Sequence, residues 1–172
     1  MDDHAQDHGQ EQEMFLEEFL DHQRAVVAEH GWGMIGTEAS VMSSLPLTYT
    51  VGFTDHGAPE LVMTGLRPAV AGTIAAGIWE GTVKQGEELP LGPNPNLFGK
   101  GYTAWVVDVD PSLVEAHVAV AMYGREKVRA QLIVFPDESG YFPWEENCDH
   151  HIKLVQPFAP RSKPHIDPLE AN

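Results

Sequence analysis

Leu47 to Leu66, LTYTVGFTDHGAPELVMTGL, consists of two apolar runs separated by Asp55-His56-Gly57-Ala58-Pro59. In the first run Tyr49, Val51 and Phe53 alternate with Thr48, Thr50, Gly52 and Thr54, the two-residue period of a half-buried strand. In the second, Leu61 and Met63 fall on one face, with Glu60, Val62 and Thr64 on the other. Gly and Pro in so short a connection predict a β-hairpin. On that pattern Val51 and Phe53 face the core together, and Thr50 and Thr54 lie on the opposite face. The break and its exit carry Asp55, His56 and Glu60, the trio richest in chemistry.

Upstream, residues 12–30 read as a helix. Phe15, Phe19, Gln23, Val26 and Val27 lie near one face, and Leu16 and Leu20 widen the stripe. Glu11, Glu13, Glu17 and Glu18 crowd its first half, while Arg24 and His30 come later, the order that a helix dipole favours. Gly31 ends it, and residues 31–37 predict a short glycine-rich strand.

Downstream, Pro68 suits a first helical turn, and Val70, Ile74 and Ile78 recur at four-residue spacing to about Lys84. Residues 85–100 read as a long Pro/Gly/Asn loop. Residues 101–109 and 128–135 read as strands, with a helix opened by Asp110-Pro111 between them. The prediction is an α+β fold: a mostly antiparallel sheet of four to five strands with two to three helices packed on it. Residues 1–10 are expected to be a disordered acidic N-terminus, 11–160 a single domain, and 161–172 a Pro-rich tail. Neither 1–10 nor 162–172 has apolar periodicity, so neither is expected to be needed for folding.

Composition bounds the function. Hydrophobic residues make up 42%, enough for a packed core at 172 residues. The single cysteine, Cys148, excludes an intramolecular disulfide, and the first residues are acidic where a signal peptide is basic. No apolar run reaches the ~20 residues that span a bilayer. A cytoplasmic protein without membrane contact is expected. With 26 acids against 10 bases the net charge is −16, a field that repels phosphates and argues against direct nucleic-acid binding. It favours solubility or a basic protein partner.

Three segments in order resemble a family. Tyr49 to Thr54 follows a Y-T-V-G-hydrophobic-T pattern, Gly57 to Leu61 a G-x-P-E-L pattern, and Gln131 to Glu145 a Q-L-x-x-P-D…G-x-F-P-W-[ED] block. Together with the Gly-Trp-Gly strand they resemble the bacterial domain-of-unknown-function family 4262, common in actinobacteria and their phages. Phe135 departs from the pattern, which often has Trp before Pro-Asp. The resemblance supports the fold and implies no established activity.

Candidate sites follow from residue type. His56 and Glu60 are the catalytic candidates, a histidine oriented by a carboxylate; the structural alternative is an exposed loop His56 and a Glu60 that satisfies turn amides. Tyr49, Gln131, Trp144 and Glu145 are the binding candidates, with Gln131 an amide inside an otherwise apolar strand and Trp144-Glu145 either a pocket rim or an anchor for the C-terminal segment. His117 falls on an apolar stripe, as core histidines do. Cys148, Asp149, His150 and His151 lack metal-site spacing, and no phosphate loop or nucleotide fingerprint occurs, so no metal or cofactor is expected. The leading expectation is a non-enzymatic factor that binds another protein. The alternatives are a small hydrolase using His56 and Glu60, which requires His56, Glu60 and Gln131 to converge on one pocket, and an acidic mimic of DNA.

Overall fold

The computed structural model describes residues 3–37, 46–95, 97, 99 and 101–166, with the side chains of the first helix from residue 13 onward. Residues 38–45, and residues 167–172 of the expected tail, lie outside the described residues.

A six-stranded sheet forms the middle layer. Its strands in chain order are β1 (Gly33–Thr37), β2 (Leu47–Val51), β3 (Glu60–Thr64), β4 (Gly92–Pro95), β5 (Thr103–Val109) and β6 (Ala130–Val134). Their spatial order is β1-β2-β3-β6-β5-β4. The expected hairpin is present: β2 and β3 pair antiparallel, with Leu47 opposite Thr64 and Tyr49 opposite Val62. The remaining pairs are antiparallel too, except that β3 runs parallel to β6. Among the described residues four helices accompany the sheet: α1 (Asp3–His30), α2 (Pro68–Gly81), α3 (His117–Tyr123) and α4 (His150–Val155).

The α+β class matches expectation, and the finer description needs correction. Among the described residues the sheet has six strands where four to five are predicted, mostly antiparallel as expected but with one parallel pair, and there are four helices rather than two to three. β4 was hidden in the Pro/Gly/Asn loop. Its Pro93 and Pro95 pair with Trp105 and Thr103 at the sheet's edge, where a strand tolerates residues that lack an N–H. α4 has six residues, too few for a periodic signal. α3 is shorter than predicted: Asp110 Oδ1 accepts from the Ser112 amide, but Glu115 takes a left-handed φ of 57° and ends that turn before the helix starts at His117. α1's backbone begins at Asp3, inside the stretch 1–10 that the sequence sets apart.

Both faces of the sheet are covered, so every residue of β2, β3 and β6 is buried. One core joins Leu47, Tyr49, Val51, Val62, Leu132 and Val134 to Val27 of α1, Ala119 of α3 and the C-terminal segment. The other joins Leu61, Met63, Val106 and Ile133 to Ile74, Ile78 and Trp79 of α2. Val51 and Phe53 therefore enter opposite cores, because the strand stops at Val51 and Phe53 opens a 3-10 turn (Phe53–His56). Thr50 is as buried as its apolar neighbours.

The tail participates as well. Lys163 Nζ sits 5.4 Å over the Trp105 ring, and Ile166 packs against the first core. Turns and bends interrupt this segment, so its apolar contacts show no helical or strand period. It contributes to packing where the sequence reading expects it to be dispensable.

Candidate functional site

The trio singled out from sequence sits at the turn between β2 and β3. Gly52 has φ 110°, and a Cβ there would lie 2.8 Å from Trp32 Cα and 2.9 Å from the Gly31 carbonyl, so only glycine fits. The chain then makes one 3-10 turn and leaves through Gly57, whose N–H donates to the Thr54 carbonyl. Glu60, wholly buried at the start of β3, reaches back into this turn. Its Oε1 accepts from the amides of Gly52 (3.0 Å) and Thr54 (2.9 Å) and from Thr54 Oγ1 (2.8 Å). Its Oε2 accepts from Thr50 Oγ1 (2.7 Å) and the Phe53 amide (3.3 Å). Thr50 Oγ1 in turn accepts from the Leu61 amide at 2.9 Å. Burial pushes the Glu60 carboxyl up from the ordinary glutamate range, against the opposing pull of these donors. Glu60 thus fixes the turn's shape.

The clamp aims two side chains outward. His56 is exposed and stands edge-on to Trp79, ring centroids 4.7 Å apart. Asp55 Oδ2 accepts from Tyr123 Oη at 3.0 Å, tying the turn to the last residue of α3. Burial, then this bond, raises the Tyr123 hydroxyl above the usual tyrosine range. Asp55 and His56 line a cleft of about 340 Å³ with Arg24, Val27, Ala28 and Gly31 from the end of α1, and Met122 and Tyr123 from α3. Arg24 is ion-paired with Asp21 at 2.7 Å.

The structure scatters the other sequence candidates. Tyr49 is buried in the first core, where its hydroxyl accepts from the Val118 amide at 3.1 Å. Burial pushes its pKa up to about 12. Gln131 lies in β6 on the opposite face, donating from Nε2 to the Leu89 carbonyl at 3.2 Å, while its Oε1 is buried without a partner. Trp144 stacks on Phe142 (4.8 Å, 3° between planes) and meets Trp105 edge-on, and Glu145 Oε2 accepts from the Phe142 amide at 2.7 Å. Those two residues anchor their own segment. Neither Glu60 nor Gln131 lines the cleft that holds His56. Sequence reading missed Arg24 and Tyr123 as cleft residues, since each is an ordinary helix-end residue until the fold brings them beside Asp55. Its only clue was the glycine-flanked turn. Among the described residues no group of three or more His, Cys, Asp or Glu is placed to hold a metal, and no helix is long and apolar enough to cross a membrane.

A second feature lies on α1. Leu20, Gln23 and Val27 are its buried stripe. Leu16 continues that stripe one turn earlier, and Met14, Phe15 and Phe19 flank it. These four are 56% (Met14), 69% (Phe15), 52% (Leu16) and 41% (Phe19) exposed, so the apolar stripe outruns the body that covers it.

Residues 26–149, which span the turn, the sheet and the aromatic block, match the family described as a domain of unknown function, DUF4262. The chain belongs to that family. The match begins inside α1, so the exposed Met14–Phe19 segment of this DUF4262 protein precedes the region that the family shares, as does most of the acidic helix. No curated protein and no solved structure matches the chain. Within the matched region, Glu60 organises the first motif and Asp137 the last. Asp137 Oδ1 accepts from the amides of Ser139 and Tyr141, and its Oδ2 from that of Asp149. These bonds, the Asp149 amide foremost, hold its carboxyl below the usual aspartate range.

Proposed function

We propose that this chain is a non-enzymatic binding factor whose partner is another protein, docked on the projecting half of α1. The observation that carries the reading is the exposure of Met14, Phe15, Leu16 and Phe19 on a stripe that is buried further along the same helix. Isolated exposed apolar residues are ordinary, whereas a contiguous group that continues a buried stripe marks an interaction surface. Charge selects the occupant. From Glu11 to Asp21 the helix carries five acids, Glu11, Glu13, Glu17, Glu18 and Asp21, and no Lys or Arg. Two copies of this stripe would set like charges against each other, so the complementary surface is an apolar groove with a basic rim.

The hydrolase reading has less support. Every oxygen of Glu60 is engaged by the turn, and His56 has an aromatic neighbour rather than a carboxylate to orient it.

The test compares the tagged wild-type chain with a Phe15→Ala/Phe19→Ala variant, in cells that carry the gene. A partner recovered stoichiometrically with the wild type should be lost from the variant at unchanged melting temperature. That partner's complex should weaken as salt rises, since exposed charges are screened within ~10 Å at 0.1 M. A wild-type chain that sediments as a dimer, and becomes monomeric on this substitution, would overturn the reading in favour of self-association.

A further inference from the structure

The cleft beside the clamped turn is built from three separate parts of the chain. Arg24 comes from α1, Asp55 and His56 from the turn, and Tyr123 from α3. Each polar group is positioned by contacts of its own. Asp55 is tied by Tyr123 Oη at 3.0 Å, and Gly52, the Glu60 carboxylate and Gly57 set the shape of the turn behind it. His56 is set edge-on to Trp79. Arg24 is steadied by Asp21 at 2.7 Å through one of its five N–H donors, leaving the rest of the guanidinium for another acceptor. Between them the cleft presents Val27, Ala28 and Met122. A cation and an anion therefore line one small cleft with apolar walls, and Arg24 pairs with Asp21 rather than with Asp55.

We infer that the cleft is a binding site for a short zwitterion, an α-amino acid with an apolar side chain. Its carboxylate is taken by Arg24, its ammonium by Asp55, and its side chain by Val27, Ala28 and Met122. The alternatives fit less well on charge alone. A simple anion meets Asp55 and the −16 field of the whole chain. A simple cation meets Arg24. A dipolar ligand carries no net charge and satisfies both groups at once, and charge-assisted bonds of this type are the strong ones. A volume of about 340 Å³ lies at the small end of ligand pockets, which suits a single amino acid better than a nucleotide. The site is distinct from the α1 stripe and stands whether or not a protein docks there.

The experiment is a titration of the full-length ¹⁵N-labelled chain with L-leucine, N-acetyl-L-leucine and L-leucinamide, followed by amide chemical shifts. Leucine is expected to saturate at or below about 1 mM, with shifts concentrated at Ala28, Gly31, Asp55, His56 and Tyr123. The two blocked compounds, each missing one charge, are expected to bind about tenfold or more weakly. Asp55→Asn should abolish the preference for leucine over N-acetyl-leucine, and Arg24→Gln its preference over leucinamide. Arg24 is exposed and bonded only to Asp21 among its described contacts, so that variant keeps the test open if Asp55→Asn unfolds. Leucine that fails to saturate by about 10 mM, or that binds less than about threefold better than either blocked compound, overturns the assignment. So does a preference over leucinamide that survives Arg24→Gln.

Discussion

Replacing Glu60 tests whether its carboxylate is the organiser of the turn. Glu60→Ala removes the acceptor for three amides and two hydroxyls. Thr54 is only partly buried, so water can replace the carboxylate there, but Gly52 and Phe53 are fully buried and their N–H groups would be stranded. A buried donor left unpaired costs about 1–3 kcal/mol. With the Gly52 bond at 3.0 Å and the Phe53 bond a weaker 3.3 Å, and a small cavity added, the loss should be about 3–5 kcal/mol. For a chain of this size that lowers Tm by about 6–20 °C. Glu60→Gln keeps one acceptor oxygen for the Gly52 and Thr54 amides and turns an NH₂ toward Thr50 Oγ1 and the Phe53 amide. Thr50 can reverse its hydroxyl, leaving Phe53 as the stranded group, so the glutamine should cost about 1–3 kcal/mol. Urea unfolding of the three proteins measures both. An alanine variant within about 1 kcal/mol of wild type would refute the organising role, and an equal loss in both variants would show that the charge, not the acceptor geometry, matters. The pH profile adds a signed check. The Glu60 pKa is raised in the folded state, so between the unfolded value near 4.5 and its raised folded value the native chain binds more protons than the unfolded chain. Stability from this group is complete below about pH 4.5 and declines as pH rises through the folded pKa. The wild-type advantage over Glu60→Gln should shrink on going from pH 4.5 toward neutrality, and an advantage that grows would contradict the raised pKa.

Four further outcomes follow from named contacts. Tyr49→Phe removes the acceptor for the half-buried Val118 amide in the first turn of α3 and should lose about 0.5–1.5 kcal/mol in chemical denaturation, with a fold otherwise unchanged by circular dichroism. Phe53→Ala, at a fully buried position between Trp32 and Trp79, should lose about 3–5 kcal/mol, measured the same way. His56→Ala should shift Tm by no more than about 2 °C, since an exposed ring against one face of Trp79 contributes little to stability. Deleting residues 162–172 removes Lys163 from Trp105 and Ile166 from the core, and thermal unfolding should show a drop of about 4–8 °C, from about 2 kcal/mol of lost burial and cation–π contact.

How much of this was legible in the chain depends on the range of each interaction. The β2–β3 pair was readable because its evidence is local: a two-residue period, a glycine-bearing break, and a second run with matching alternation. β6 beside β3 was not readable. That pairing is parallel and spans 70 positions, from Glu60 to Ala130, and nothing in either strand's pattern names its neighbour. Alternation itself misled at one point. Threonine at 48 and 50 suggests a solvent-facing side, yet helices cover both faces, and Thr50 survives burial because its hydroxyl donates to Glu60 and accepts from Leu61. Thr48 has no such bond for its Oγ1, and nothing in the fold accounts for that choice.

The site shows the same limit in sharper form. A buried glutamate and an exposed glutamate are the same letter, and the difference is made by Gly52. Because φ 110° is open to glycine and closed to most residues, the chain at that point can turn its amides inward toward one carboxylate. The G-x-P-E-L pattern therefore encodes an acceptor for a turn before it encodes any acid–base chemistry. What the turn then displays, Asp55 and His56, gains meaning only from residues 31 positions before and 68 after, at the ends of two helices. Arg24 lies just outside the region matched to the family, while Asp55, His56 and Tyr123 lie within it. If the cleft binds a zwitterion, the half of the site that reads the ammonium sits in the shared domain, and the half that reads the carboxylate sits on the same acidic helix that carries the exposed stripe.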